Sequence, residues 1–292
     1  MKKFVLFMGL LAGLRAQTTP LDQERILGIL PYGQRDTGKL GELWTLWQGH
    51  YFLWLFLAVV LGVGFGFLMH YLVIGPKQFK HSDQKVPFFT LFNRIIHWIA
   101  GVSFILLVPT GLIMIFGDFF GGGAFVRFCR VTHSVGCVVF MVAVLPMLFM
   151  WLKDMFFRLA DIKWLVIMGG YLSKEKKPVP AYKFNAGQKM WFWIATLGGL
   201  VMIASGGILY FNTEDLSTIA NFFGLYQISL LRLSALVHNF LGLVLVGFFI
   251  VHIYMSLFAI KGSLQSMIDG HKDLEEVQIL HSLYLKDRAK VQ

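Results

Sequence analysis

Residues 232–260 read RLSALVHNFLGLVLVGFFIVHIYMSLFAI. After Arg232 the run holds no Asp, Glu, Lys or Arg. It is long enough to cross a hydrocarbon layer of roughly 30 Å as one helix. It also carries two histidines, His238 and His252. Fourteen residues amount to four turns less about 40°, so both imidazoles fall on one face, about 21 Å apart along the axis. An ionisable side chain in lipid is costly and marks a functional candidate. One metal ion cannot use both of these rings, whereas two stacked cofactors can.

The rest of the 292-residue chain has the same character. Hydrophobic residues make up 57% and charged residues 14%, and the mean hydropathy is +0.66. Soluble domains run nearer half apolar and a quarter charged. Four further apolar stretches are predicted to span, at 51–74, 94–117, 132–152 and 190–211. The expected fold class is therefore an all-α membrane protein. A net charge of +10 would suit a nucleic-acid partner in a soluble protein. In a polytopic chain the basic residues have a topological role instead, and no nucleic acid is expected. Cys129 and Cys137 form neither a disulfide framework nor a metal-ligand pattern.

Lys2 and Lys3 precede an apolar stretch ending at Arg15-Ala16-Gln17, which reads as a signal peptide over 1–16; a retained anchor is the alternative. Residues 17–49 read as an exported, loosely structured polar arm, 50–75 as an additional transmembrane helix and 266–292 as a cytoplasmic tail. With an exported N-terminus, 17 of the 26 Lys and Arg fall in the connections and tail on the inner side, and six fall outside. That asymmetry matches positive-inside sorting in a bacterial cytoplasmic (inner) membrane, with the N-terminus periplasmic and the C-terminus cytoplasmic.

Topology then assigns partners to the histidines. His97 lies near the inner start of its span and His133 near the outer start of the next. His238 lies outward and His252 inward. The level pairs are His133 with His238 and His97 with His252. Any one intramembrane histidine could be a hydrogen-bonded packing residue; two level pairs suit two metal centres with trans imidazoles. Zinc draws four ligands together, so haem iron fits better. No CxxCH occurs, so the haems would be b-type and non-covalent. Gly101, Gly136, Gly242 and Gly111 lie at spacings that would let a porphyrin approach the backbone, or let helices pack. Arg94, Arg130 and Arg232 lie near the ligands, as propionate partners or as snorkelling helix ends. His50 and His70 read as boundary residues, and His81, His271 and His281 as surface groups.

The stretch Leu91-Phe92-Asn93-Arg94-Ile95-Ile96-His97-Trp98 resembles the first haem-ligand helix of formate dehydrogenase cytochrome b556 (gamma) subunits. Lys183-Phe184-Asn185-Ala186-Gly187-Gln188-Lys189 resembles the loop before their third core helix. His252-Ile253-Tyr254-Met255 and Lys261-Gly262-Ser263 resemble the end of their last one. The likeness covers roughly 90–275. It implies a four-helix di-haem cytochrome b core over 90–265, with the helix at 50–75 as an N-terminal extension. It further implies two haem b groups held by His97, His133, His238 and His252, and a menaquinone site lined by Asn185, Gly187 and Gln188. A helix-capping turn is the alternative reading of Asn185 and Gly187. The implied partners are an iron–sulfur beta subunit and a molybdopterin- or tungstopterin-containing catalytic alpha subunit that oxidises formate outside. Electrons would pass inward from haem to haem to menaquinone. A hydrogenase or another molybdoenzyme as donor stays open, as does, in a different class, a haem-free anchor or transporter.

Overall fold

The computed structural model describes residues 39–80 and 84–288. The expected leader, the arm as far as residue 38, and His81 lie outside the described residues. Among the described residues five helices are long and apolar enough to cross a membrane: α1 (Leu40–Val73), α2 (Leu91–Ile115), α3 (Gly123–Asp154), α5 (Ala186–Tyr210) and α6 (Gln227–Ala259). A short helix, α4 (Leu159–Val166), lies in the connection between α3 and α5. After α6 come α7 (Leu274–Leu280) and α8 (Ser282–Arg288). Strands β1 (Lys85–Pro87) and β2 (His271–Asp273) pair antiparallel, with Val86 opposite Lys272.

The helix limits follow local chemistry. At the head of α2, Thr90 Oγ1 accepts from Asn93 N and Asn93 Oδ1 accepts from Thr90 N, which satisfies two otherwise orphaned donors. The α2–α3 turn uses Gly121, Gly122 and Gly123 in succession at φ +78°, +60° and +65°, where side chains would be strained. Three helices begin earlier than their hydropathy suggests. The first starts at Leu40 rather than 51, so residues 40–49 are helix and not a loose arm. Its stretch LGELWTLWQGHY has only Glu42 as a charged residue and continues through a π-helical turn at Trp47–Tyr51. The third starts at Gly123 and the last at Gln227. His133 and His238 therefore sit ten and eleven residues inside their helices, about 15 Å from the ends.

The bundle is apolar outside and carries its hydroxyls inside. Phe65, Leu72, Phe128, Val138 and Phe149 are exposed on the flanks, as a lipid-facing surface requires. Ser103, Thr110, Thr196, Ser205, Ser229 and Ser234 are buried. Ser103 and Thr196 donate to the carbonyls of Ile99 and Phe192 one turn back, so these hydroxyls need no water.

Helix α1 packs on α6. Phe67 stacks on Tyr254 with ring centres 4.1 Å apart, and Asn239 Nδ2 donates to Gln48 Oε1 at 3.0 Å. His70 is thus more than a boundary residue: its Nδ1 lies 2.5 Å from the Tyr254 hydroxyl and its Nε2 2.9 Å from the Tyr171 carbonyl. His50 is exposed.

The segment after α6 folds back as a cap on the bundle. His271 is exposed, as expected of a surface group, but His281 is 2% exposed. Its Nδ1 donates to the Tyr182 carbonyl at 2.8 Å, and its ring lies 5.0 Å from that of Phe88. The strand pair and the Val179 N to Ile279 carbonyl bond draw three separate segments around it. That long-range closure buries a residue that lies beyond the last apolar span.

Candidate functional site

The spacing of His238 and His252 on α6 places one imidazole toward each end of the bundle, and antiparallel α2 and α3 supply their opposites. His97 faces His252 with ring centres 6.1 Å apart and planes at 55°. His133 faces His238 at 6.4 Å and 61°. Trp191 of α5 stacks on His252 at 5.4 Å and 20°. Nδ1 of His97 is buried with no hydrogen-bond partner among the described residues.

The second pair is held by two hydroxyls. Thr110 Oγ1 donates to the Leu106 carbonyl at 2.6 Å and lies 3.0 Å from Nδ1 of His133. Ser205 Oγ donates to the Val201 carbonyl at 2.8 Å and lies 3.1 Å from Nδ1 of His238. With its proton committed to a carbonyl, each hydroxyl accepts from Nδ1–H, which leaves Nε2 of both rings as the free lone pair. The residue after each hydroxyl is glycine. A Cβ at Gly111 would stand 3.2 Å from Cε1 of His133, and one at Gly206 would stand 3.0 Å from Cε1 of His238. Bare backbone is what lets the rings sit there.

Of the glycines singled out in the sequence, only Gly111 abuts an imidazole. Gly136 packs on Leu107 and Gly242 on Met202, while Gly101 meets only the Trp98 ring at 3.9 Å. Thr110, Ser205, Gly206 and Trp191 were not among the candidates. The matched dipeptides Thr110-Gly111 and Ser205-Gly206 were the available signal, a hydroxyl followed by a residue without a side chain in two different spans. Arg94 Nη1 donates to the Ile268 carbonyl, and the Arg130 guanidinium lies 5.9 Å from the Tyr210 ring centre. Cys129 and Cys137 are free thiols.

Asn185, Gly187 and Gln188 have a visible structural task. Asn185 Oδ1 accepts from Gln188 N and Gln188 Oε1 accepts from Asn185 N, both at 3.0 Å, a reciprocal cap on α5. A Cβ at Gly187 would meet the Trp164 ring at 3.2 Å. The cap leads directly into the turn that carries Trp191 against His252.

The facing pairs fit a metal held between two imidazoles. A metal–nitrogen bond of about 2 Å and about 1 Å from nitrogen to ring centre, taken on both sides, span about 6 Å. No cluster of three or more His, Cys, Asp and Glu able to hold a metal occurs among the described residues. A metal between these rings thus draws two ligands from this chain and needs the rest from a macrocycle. Non-covalent haem satisfies that donor set, and the class of protein so defined is a membrane cytochrome of the b type.

The chain belongs to the prokaryotic cytochrome b561 family, whose model matches residues 88–270. Helix α1 precedes the matched region. The chain is 28% identical over 198 residues to the nitrate-inducible formate dehydrogenase cytochrome b556(Fdn) subunit of Escherichia coli (strain K12), covering 65% of this chain and 85% of that protein. It is 26% identical over 197 residues to the formate dehydrogenase cytochrome b556(fdo) subunit of the same strain, covering 65% and 87%. With the formate dehydrogenase cytochrome b556 subunit of Haemophilus influenzae the figures are 26% over 183 residues, 61% and 72%.

Proposed function

We propose that this chain is the di-haem cytochrome b subunit of a formate dehydrogenase. His97 and His252 would ligate one haem b, and His133 and His238 a second. The observation that carries this reading is the pair of facing imidazole couples, 6.1 Å and 6.4 Å between ring centres, set about 21 Å apart along α6. Haem iron, when bound, supplies one-electron transfer. The protein supplies position and tuning. Thr110 and Ser205 fix two of the rings through Nδ1, and Gly111 and Gly206 present bare backbone where a side chain would crowd them. Trp191 braces His252.

The His133 end would face an iron–sulfur beta subunit, itself fed by a molybdopterin- or tungstopterin-containing alpha subunit. The His97 end would deliver electrons to menaquinone near Asn185, Gly187 and Gln188, on the cytoplasmic side of the inner membrane. The names of the relatives support the formate dehydrogenase assignment, and the excess of Lys and Arg at the His97 end supports the orientation. The span 50–75 would be an addition to the 90–265 core.

A pyridine haemochrome assay on the purified chain should return two haems b per polypeptide. His252→Ala should leave one, keep the signal of the His133–His238 centre and abolish quinone reduction. Fewer than two haems in the native chain, or both retained in His252→Ala, would overturn the assignment. Co-purification with a nickel enzyme and without molybdenum or tungsten would replace the donor.

A further inference from the structure

We infer that α4 is a membrane-surface helix, with Leu159, Ile162 and Val166 inserted among the lipids at the His97 end of the bundle. Its outward face is too apolar for water. Leu159 is 81% exposed, Val166 79% and Ile162 59%, and all three lie on one side of the helix at spacings of three and four. Phe156, Phe157, Met168 and Leu172 extend this surface on both sides. A contiguous exposed apolar surface of this kind marks an interaction site.

The depth of α4 identifies the occupant. Trp193 Nε1 donates to the Met155 carbonyl at 3.0 Å, and the Phe156 and Trp193 rings are 5.8 Å apart. Lys189 Nζ donates to the Phe156 carbonyl at 3.0 Å and pairs with Asp161 at 2.7 Å. The Trp164 ring meets Gly187. The segment from Met155 to Trp164 therefore runs alongside Gly187–Trp193, the first two turns of α5, a length of about 9 Å. Helix α5 has 25 residues, about 37 Å, against a hydrocarbon layer of roughly 30 Å. Its first turns thus straddle the hydrocarbon boundary, and α4 lies at that level.

Two further features agree with lipid rather than protein. The exposed face follows the lipid-facing flank of α3, with Phe149 and Phe156 both exposed and Lys153 the one exposed charge between them. Around it lie the exposed cations Lys153, Arg158, Lys163 and Lys174, suited to anionic headgroups. The one carboxylate of α4, Asp161, is turned inward onto Lys189, so the outward face of the helix carries no negative charge.

The test uses the unmodified protein in vesicles of phosphatidylethanolamine and phosphatidylglycerol. A carbene-generating apolar reagent dissolved in the bilayer should label Leu159, Ile162 and Val166 to an extent comparable with Phe149 on α3, while Lys174 and Lys177 stay unlabelled. Nitroxides at Ile162→Cys and Val166→Cys should collide with oxygen more than with a water-soluble nickel chelate. Collision dominated by the nickel chelate would place the face in water. A face reached by neither probe would be covered by protein. Either result overturns the proposal.

Discussion

Nδ1 of His133 lies 3.0 Å from the Thr110 hydroxyl, whose proton is already given to the Leu106 carbonyl at 2.6 Å. The ring must then donate, and its Nε2 is left unprotonated. Ser205 imposes the same state on His238 from α5. Two helices that carry neither ring of this pair thereby set its protonation. His97 lacks the device, since its Nδ1 has no partner among the described residues.

A hydrogen bond to Nδ1–H makes an imidazole a stronger donor and favours oxidised iron. Thr110→Val should raise the midpoint potential of the His133–His238 centre by about 40 mV, the one-electron equivalent of about 1 kcal/mol. The His97–His252 centre should not move. Redox titration followed optically reads both, and an unchanged or lowered potential at the first centre would remove the hydroxyl's tuning role.

Gly206→Val places a branched side chain where even a Cβ would be 3.0 Å from His238. The ring must leave its present position opposite His133. One haem per chain should be lost, with the spectrum of the His97–His252 centre intact. Gly207→Ala is the control, because a Cβ there meets nothing within 4 Å. Equal haem content in both variants would show that the close approach has no consequence.

Lys189 and Asp161 are buried together, 1% and 4% exposed at their side chains. Lys189→Met strands the carboxylate and should cost about 3–5 kcal/mol. Adding Asp161→Leu should recover most of that, since a well-packed apolar pair often equals a buried ion pair. Thermal unfolding in detergent compares the two, and a double variant no better than the single one would mean that the charges are not coupled.

His281 links stability to pH. Burial, with the Lys272 charge as a second cause, pushes its imidazole down to about 3 from the usual 6.5. The folded chain keeps it neutral, whereas the unfolded chain protonates it below about pH 6.5. Its contribution is therefore full above 6.5 and is lost as the pH falls toward 3. Between pH 7 and pH 5 the cap should weaken by about 2 kcal/mol. His281→Gln should lower stability at pH 7 yet show a smaller acid-induced loss. Amide exchange of residues 274–287 at the two pH values measures this, and the same acid-induced loss in the variant would exonerate His281.

The five spans were legible from hydropathy because lipid leaves a chain no option but to satisfy its backbone within each helix. Which histidines meet was legible too. A period of 100° per residue and alternating helix direction put His97 level with His252 and His133 level with His238 before any packing is considered. Helix starts were less legible. Gly123 and Gln227 begin helices well before the apolar run, since an amphipathic first turn looks like loop to a hydropathy count.

What the sequence determined by itself was everything that depends on distance along one helix. What only the tertiary structure decided depends on contact between helices. The hydroxyls of Thr110 and Ser205, 95 residues apart in the chain, reach one imidazole pair because α2 and α5 happen to flank it. His281 reads as a surface group beyond the last span, yet distant segments close over it. His70 reads as a helix end, yet Tyr254 and Tyr171 hold both its nitrogens. Periodicity fixes the face a side chain presents; only packing fixes what stands opposite it.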